Sequence, residues 1–172
     1  MIKSIRRTAT RRRLRQAGLL FVVFAALALP IQALAGAQVP LKGSDVGGFT
    51  LGAACAPGSV VVDIDGRGHA THLGRYLYEA LECFNPATSL YTGAFELTAA
   101  NGDTIRGTYS GEVVSIVGSV AFYEQDAAIT TGSGRFARAS GEFHVSGEAD
   151  LATGAYSQQL EGTISSVGAS KR

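Results

Sequence analysis

The sequence predicts an all-β fold of about eight short strands, closed into a barrel or stacked as a sandwich. Three observations carry this. Apolar and polar residues alternate with period two through most of the chain after residue 58. Turn-forming pairs recur between the alternating runs. All but one of the 22 glycines follow residue 35, about twice the usual share of roughly 7% for that stretch, and they are spread evenly, which predicts many turns and bends.

The first 35 residues read as a signal peptide and not as part of the fold. Six arginines, Arg6, Arg7, Arg11, Arg12, Arg13 and Arg15, precede the apolar run GLLFVVFAALAL at 18–29. Pro30 ends that run, and Ala33-Leu34-Ala35 supplies a small-x-small cleavage site. Cleavage there starts the mature chain at Gly36, outside the cytoplasm, periplasmic or extracellular. The apolar run is shorter than the roughly 20 residues that span a bilayer, so no stable span is expected after cleavage. Thr10-Arg11-Arg12-Arg13-Leu14-Arg15 also fits a twin-arginine export signal, and both export routes stay open.

Seven of the 15 Lys+Arg lie in this leader and none of the 14 Asp+Glu, so the remaining 137 residues carry eight basic against fourteen acidic side chains, a net charge of −6. A mildly acidic domain without a basic stripe argues against nucleic acid as a partner. At 36–172 the chain is long enough for one domain with its own core.

Strands are expected near 42–52, 58–65 and 69–82. In the second, Val60, Val62 and Ile64 alternate with Val61 and Asp63 before a turn at Asp65-Gly66-Arg67-Gly68. The third is ambiguous, because Leu73, Tyr76, Leu77, Ala80, Leu81 and Phe84 also suit a short helix over about 75–83. Gly74 and the β-prone Thr71, Tyr76 and Tyr78 favour the strand. Phe95, Leu97 and Ala99 then alternate up to Asn101-Gly102, a hairpin signal. Beyond it Ile105, Gly107, Tyr109, Gly111 and Val113 share one face, with Thr104, Arg106, Thr108 and Ser110 on the other. The alternation continues through SVAFYEQDAAI, ASGEFHVSGEAD and, after a Thr153-Gly154 turn, AYSQQLEGTISSV. Cys55 and Cys83, an even pair in an exported chain, are expected to form a disulfide.

GSGRFA at 132–137 fits the loose G-x-G-x-x-G/A pattern of a dinucleotide phosphate loop, which works only where a strand enters and a helix leaves. Here SGEFHVSGEAD follows, another alternating run, so no cofactor is expected and the glycines are read as a corner between strands. Gly132 and Gly134 would take positive φ, Phe136 would plug one end of a barrel, and Arg135 would reach a carboxylate or free carbonyls. TTGSGRFARASGEF resembles the GGTGRF-A-x-A-x-G corner of allene oxide cyclases and dirigent proteins. GRGHATHLGR and AANGDTIRGTYSGE resemble stretches of exported bacterial proteins with the allene-oxide-cyclase-like barrel. The likeness covers about residues 45–165. It implies an eight-stranded antiparallel calycin-type barrel with a cavity open at one end, and structural roles for Gly132, Gly134, Arg135, Phe136 and Gly141. In that family, cyclases bind an unstable fatty-acid epoxide and dirigent proteins steer coupling of phenolic radicals. No motif here matches the cyclase's polar cluster.

The chemistry-bearing residues identify no reaction. His69 and His72, near Asp63 and Asp65, are the nearest approach to a metal set, but residues three apart in a strand face opposite ways, so no metal site is expected. GTYSG at 107–111 misses the nucleophile elbow by one position and lies in a strand. Glu79 with Glu82, and Glu124 with Asp126, read as solvated faces. Some of the six tyrosines, Tyr76, Tyr78, Tyr91, Tyr109, Tyr123 and Tyr156, must point inward. Tyr76, Tyr78, Tyr109 and Tyr123, with His72 as a hydrogen-bonded histidine near the cavity, are the ligand candidates. The functional expectation is a barrel that binds a small apolar or aromatic molecule. A cyclase or isomerase, and a structural barrel with a filled core, are the alternatives.

Overall fold

The computed structural model describes residues 37–165, and the leader and its cleavage site lie outside them. Eight strands follow one another: β1 (Gln38–Ala56), β2 (Ser59–Ala70), β3 (Gly74–Asn85), β4 (Leu90–Ala99), β5 (Thr104–Val117), β6 (Val120–Gly132), β7 (Gly141–Asp150) and β8 (Ala155–Ser165). Each pairs antiparallel with the next, and β1 pairs with β8 from Gln38↔Ser165 to Gly48↔Ala155, closing the barrel. Closure leaves no strand with a free row of backbone groups.

Alternation dictates the inner wall. Buried and exposed positions alternate through Tyr76, Tyr78 and Ala80 of β3 and through Ile105, Gly107, Tyr109 and Gly111 of β5, with the odd residues of β5 inward as their pattern predicts. The segment open to a helical reading is therefore strand β3. Tight connections use glycine where φ is positive: Gly58 (75°), Gly102 (85°), Gly118 (62°) and Gly154 (72°).

Two sequence expectations fail for one reason. Asp65-Gly66-Arg67-Gly68 is not a turn: β2 runs straight through it to Ala70, and the chain reverses at Thr71–Leu73. Gly66 and Gly68 face the interior, where a Cβ on Gly66 would meet the Tyr156 hydroxyl and one on Gly68 would lie 2.7 Å from Cζ of Tyr76. Many of the evenly spread glycines thus sit inside strands beneath rings and make no turn.

The barrel is filled at one end and hollow at the other. Leu41, Leu73, Leu97, Ile105, Phe136 and Ile164, none more than 3% exposed, pack the end that carries the β2–β3, β4–β5 and β6–β7 connections. Phe136, fully buried, comes from the corner Gly134–Phe136, a single 3-10 turn, and packs into this end. The corner's amides are spent locally, Phe136 N–H donating to the Ser133 carbonyl at 2.9 Å and Ala137 N–H to that of Gly134 at 3.2 Å, and β7 follows without a helix. A phosphate loop has neither feature.

Within the corner, Gly134 takes φ 55°, but Gly132 does not take positive φ. Gly132 is glycine because a Cβ there would come 2.6 Å from the carbonyl oxygens of both Phe136 and Thr104; at Gly141 it would strike the Thr163 carbonyl. Arg135 reaches both kinds of partner: its Nη2 donates to the Leu73 carbonyl at 3.2 Å, and its Nε stands 3.6 Å from Asp103. With 41% of the side chain exposed, it closes the corner from outside and is not a buried guanidinium.

At the hollow end the Cys55–Cys83 disulfide ties the end of β1 to β3, across the strand between them.

Candidate functional site

The hollow end is a cavity of about 470 Å³, within the range of small-molecule sites, about 300–1,000 Å³. Its mouth is apolar: Leu51, Ile116 and Leu151 line it and are each more than half exposed, and Val60, Phe84 and Val113 continue the wall inward. Deeper lie Tyr78, Glu82, Tyr91, Tyr123, Gln125, Tyr156 and Gln158.

One construction recurs around this deeper layer. A tyrosine on one strand lies across an inward glycine of the next strand, and its hydroxyl reaches the strand beyond. Tyr109 of β5 crosses Gly93 of β4, where a Cβ would sit 2.6 Å from the hydroxyl, and donates to Glu82 Oε2 of β3 at 2.9 Å. Tyr123 of β6 crosses Gly147 of β7 and donates to Gln158 Oε1 of β8 at 3.0 Å. Tyr76 of β3 crosses Gly68 of β2 and donates to Asp45 Oδ2 of β1 at 2.7 Å. In each case the three residues stand in register, so the glycine is the gap that lets one ring span two strand spacings.

Two tyrosines repeat the crossing without that acceptor. Tyr91 of β4 passes over Gly111, whose partner on β6 is Gln125, but donates to the Glu124 carbonyl at 3.3 Å. Tyr156 of β8 passes over Gly47 toward Gly66, which has no side chain to receive it, and its buried hydroxyl has no hydrogen-bond partner among the described residues. The missing acceptor explains the orphan.

The bonds converge on two carboxylates. Asp45, 3% exposed, accepts from Tyr76 and from Gln158 Nε2 at 3.0 and 3.2 Å. Burial raises its pKa, and the Tyr76 and Gln158 donors hold the rise back. Glu82 has a single donor among the described residues, Tyr109, and burial pushes its carboxyl up to about 7, the Tyr109 bond opposing. Burial likewise raises the pKa of Tyr76, Tyr78, Tyr91, Tyr109, Tyr123 and Tyr156, so the phenols stay protonated donors.

The sequence candidates divide. Tyr76, Tyr78, Tyr109 and Tyr123 all point inward; Tyr78 and Tyr123 line the cavity, while Tyr109 anchors its carboxylate, Glu82, from behind and Tyr76 bonds the buried Asp45, which does not line it. His72 does not belong with them: it sits exposed at φ 67° in the β2–β3 turn, at the filled end. His69 faces solvent, and no group of three potential metal ligands occurs among the described residues. Glu124 and Asp126 are solvated, Asp126 beside His144 at 2.9 Å, but Glu82 is not, because it shares the inward parity of Tyr76, Tyr78 and Ala80. That parity was the signal for it. Asp45, Gln125 and Gln158 share the parity of Leu41, Tyr123 and Leu160 in the same way.

The pterocarpan synthase dirigent protein GePTS1 has a similar fold, with a TM-score of 0.53 at 14% identity, over 82% of this chain and 92% of that one. No family model matches the sequence. No curated protein matches it either. The likeness is one of architecture: the chain has a dirigent-like β-barrel fold.

Proposed function

We propose that this barrel binds a small, largely apolar or aromatic molecule end-on in its cavity, outside the cytoplasm. One observation carries the reading: a cavity of about 470 Å³ whose mouth is apolar and whose floor gathers a few fixed polar groups. Apolar walls supply affinity through burial, at roughly 25 cal/mol per Å², and the polar floor orients the guest. Export is supported by the arginine-rich leader with its Ala-Leu-Ala site and by the disulfide.

A fluorescent apolar probe should bind saturably at one site per chain. Replacing Ala121, which is 4% exposed and lines the cavity, with tryptophan should weaken binding by about tenfold or more while the circular dichroism stays that of a β-barrel. No saturable binding to the unaltered protein would overturn the reading. A cyclase or isomerase is the second reading, favoured by Glu82, whose carboxyl at about 7 suits proton transfer near neutral pH. Recovery of a chemically altered guest, lost in Glu82→Gln, would establish it.

A further inference from the structure

We propose that the guest is a lipophilic amine, with one protonated nitrogen set against Glu82 and an apolar body filling the mouth. This deepens the binding reading and rests on it. Among the described residues Glu82 is the only formally charged side chain lining the cavity, and no lysine, arginine or histidine among them lines it.

The hydrogen-bond directions point the same way. Tyr109 gives its proton to Glu82, Tyr123 to Gln158, and Gln158 in turn donates to Asp45. Those three donors are spent on the wall, whereas the second oxygen of Glu82 takes no side-chain bond from the described residues and stays open to a guest. Gln125, 6% exposed, lines the cavity with its amide making no hydrogen bond within the described residues. Its amide offers an acceptor oxygen and a donor nitrogen, so it selects neither sign of guest, and the choice falls to Glu82.

A carboxylate guest would meet another carboxylate and no cation, and in a low-dielectric interior that repulsion is poorly screened. An amine meets an opposite charge that has already been desolvated, so the two compensate each other. Tyr91, which lines the cavity near Glu82, adds an aromatic ring of the kind that attracts organic cations.

Decylamine, decanol and decanoate, each below its micelle concentration, share one tail and differ only in the head. Isothermal titration at pH 8, where Glu82 is ionised and the amine still protonated, should rank the amine at least about tenfold above the carboxylate on the unaltered barrel, and Glu82→Gln should shrink that ratio to within about threefold. Glutamine keeps an acceptor for Tyr109, and a cooperative melting transition with the circular dichroism of a β-barrel shows that the variant folds. A carboxylate that binds as well as the amine overturns the inference but leaves the binding reading standing. So does an amine preference that survives in Glu82→Gln. Failure of all three tails to bind overturns both.

Discussion

Replacing Glu82 with glutamine should flatten the pH dependence of stability between about pH 4.5 and 7. In the folded protein the carboxyl is raised to about 7 from its ordinary 4.5, because it is buried with one hydrogen-bond donor among the described residues. A raised acid favours the folded state while it is protonated. Its contribution is full below the unfolded pKa, declines as pH climbs toward 7, and levels off above. At about 1.4 kcal/mol per pK unit the ceiling is roughly 3 kcal/mol, and relaxation of the site brings the expectation to between about 1 and 3. Asp45, on the inner wall and also raised by burial, contributes with the same sign in both proteins and cancels in the comparison, as do the protonated phenols of Tyr78, Tyr91, Tyr109 and Tyr123 that share the interior. Urea unfolding at pH 5 and pH 8, disulfide intact, measures it. The unaltered chain should lose about 1 to 3 kcal/mol more than the variant between the two values. A difference under about 0.5 kcal/mol would show that Glu82 is solvated when folded, and the floor of the cavity would lose its one unusual acid.

Tyr76→Phe removes a 2.7 Å donor from a buried carboxylate and should cost about 1 to 3 kcal/mol, whereas Tyr156→Phe removes a hydroxyl without a partner and should leave the melting temperature unchanged or higher. Gly134→Val places a branched side chain at φ 55° against the Asp103 carboxylate and should lower the melting temperature more than Arg135→Ala, which loses one carbonyl bond and a half-exposed ion pair. Reducing Cys55–Cys83 reopens a loop with a sequence separation of 28 and should cost about 3 to 4 kcal/mol in chemical unfolding; equal stability of the reduced chain would refute a role in constraining the unfolded state. Mass spectrometry of the exported protein should place its first residue at Gly36.

Alternation was legible because it is local. The faces of β5 and the turns at Asn101-Gly102 and Thr153-Gly154 follow from neighbours in the chain, and the β3 strand follows once Gly74 is weighed against a helix. Gly66 and Gly68 misled for the converse reason. Their role is fixed by Tyr156 and Tyr76 on other strands, whereas sequence reading treats clustered glycine as a local bend. Glu82 was hidden by charge, since an acid in a strand is ordinarily placed outside, although its parity matched Tyr76 and Tyr78. His72 misled because the chain reverses one turn later than expected, which carries it off the wall and out to solvent.

The tyrosine–glycine crossings have a consequence for how such a barrel could diversify. The bore is narrowed or widened at positions a guest never touches, because each ring lies flat only while the residue beneath it lacks a Cβ. A single methyl at Gly111 or Gly93 would lift Tyr91 or Tyr109 off the wall and into the lumen, since the added carbon would stand 2.5 to 2.6 Å from the phenol end of either ring. Selectivity in this architecture is therefore written partly in the backbone of neighbouring strands. Variants that accept a different guest should be sought at those glycines as well as among the side chains that face it.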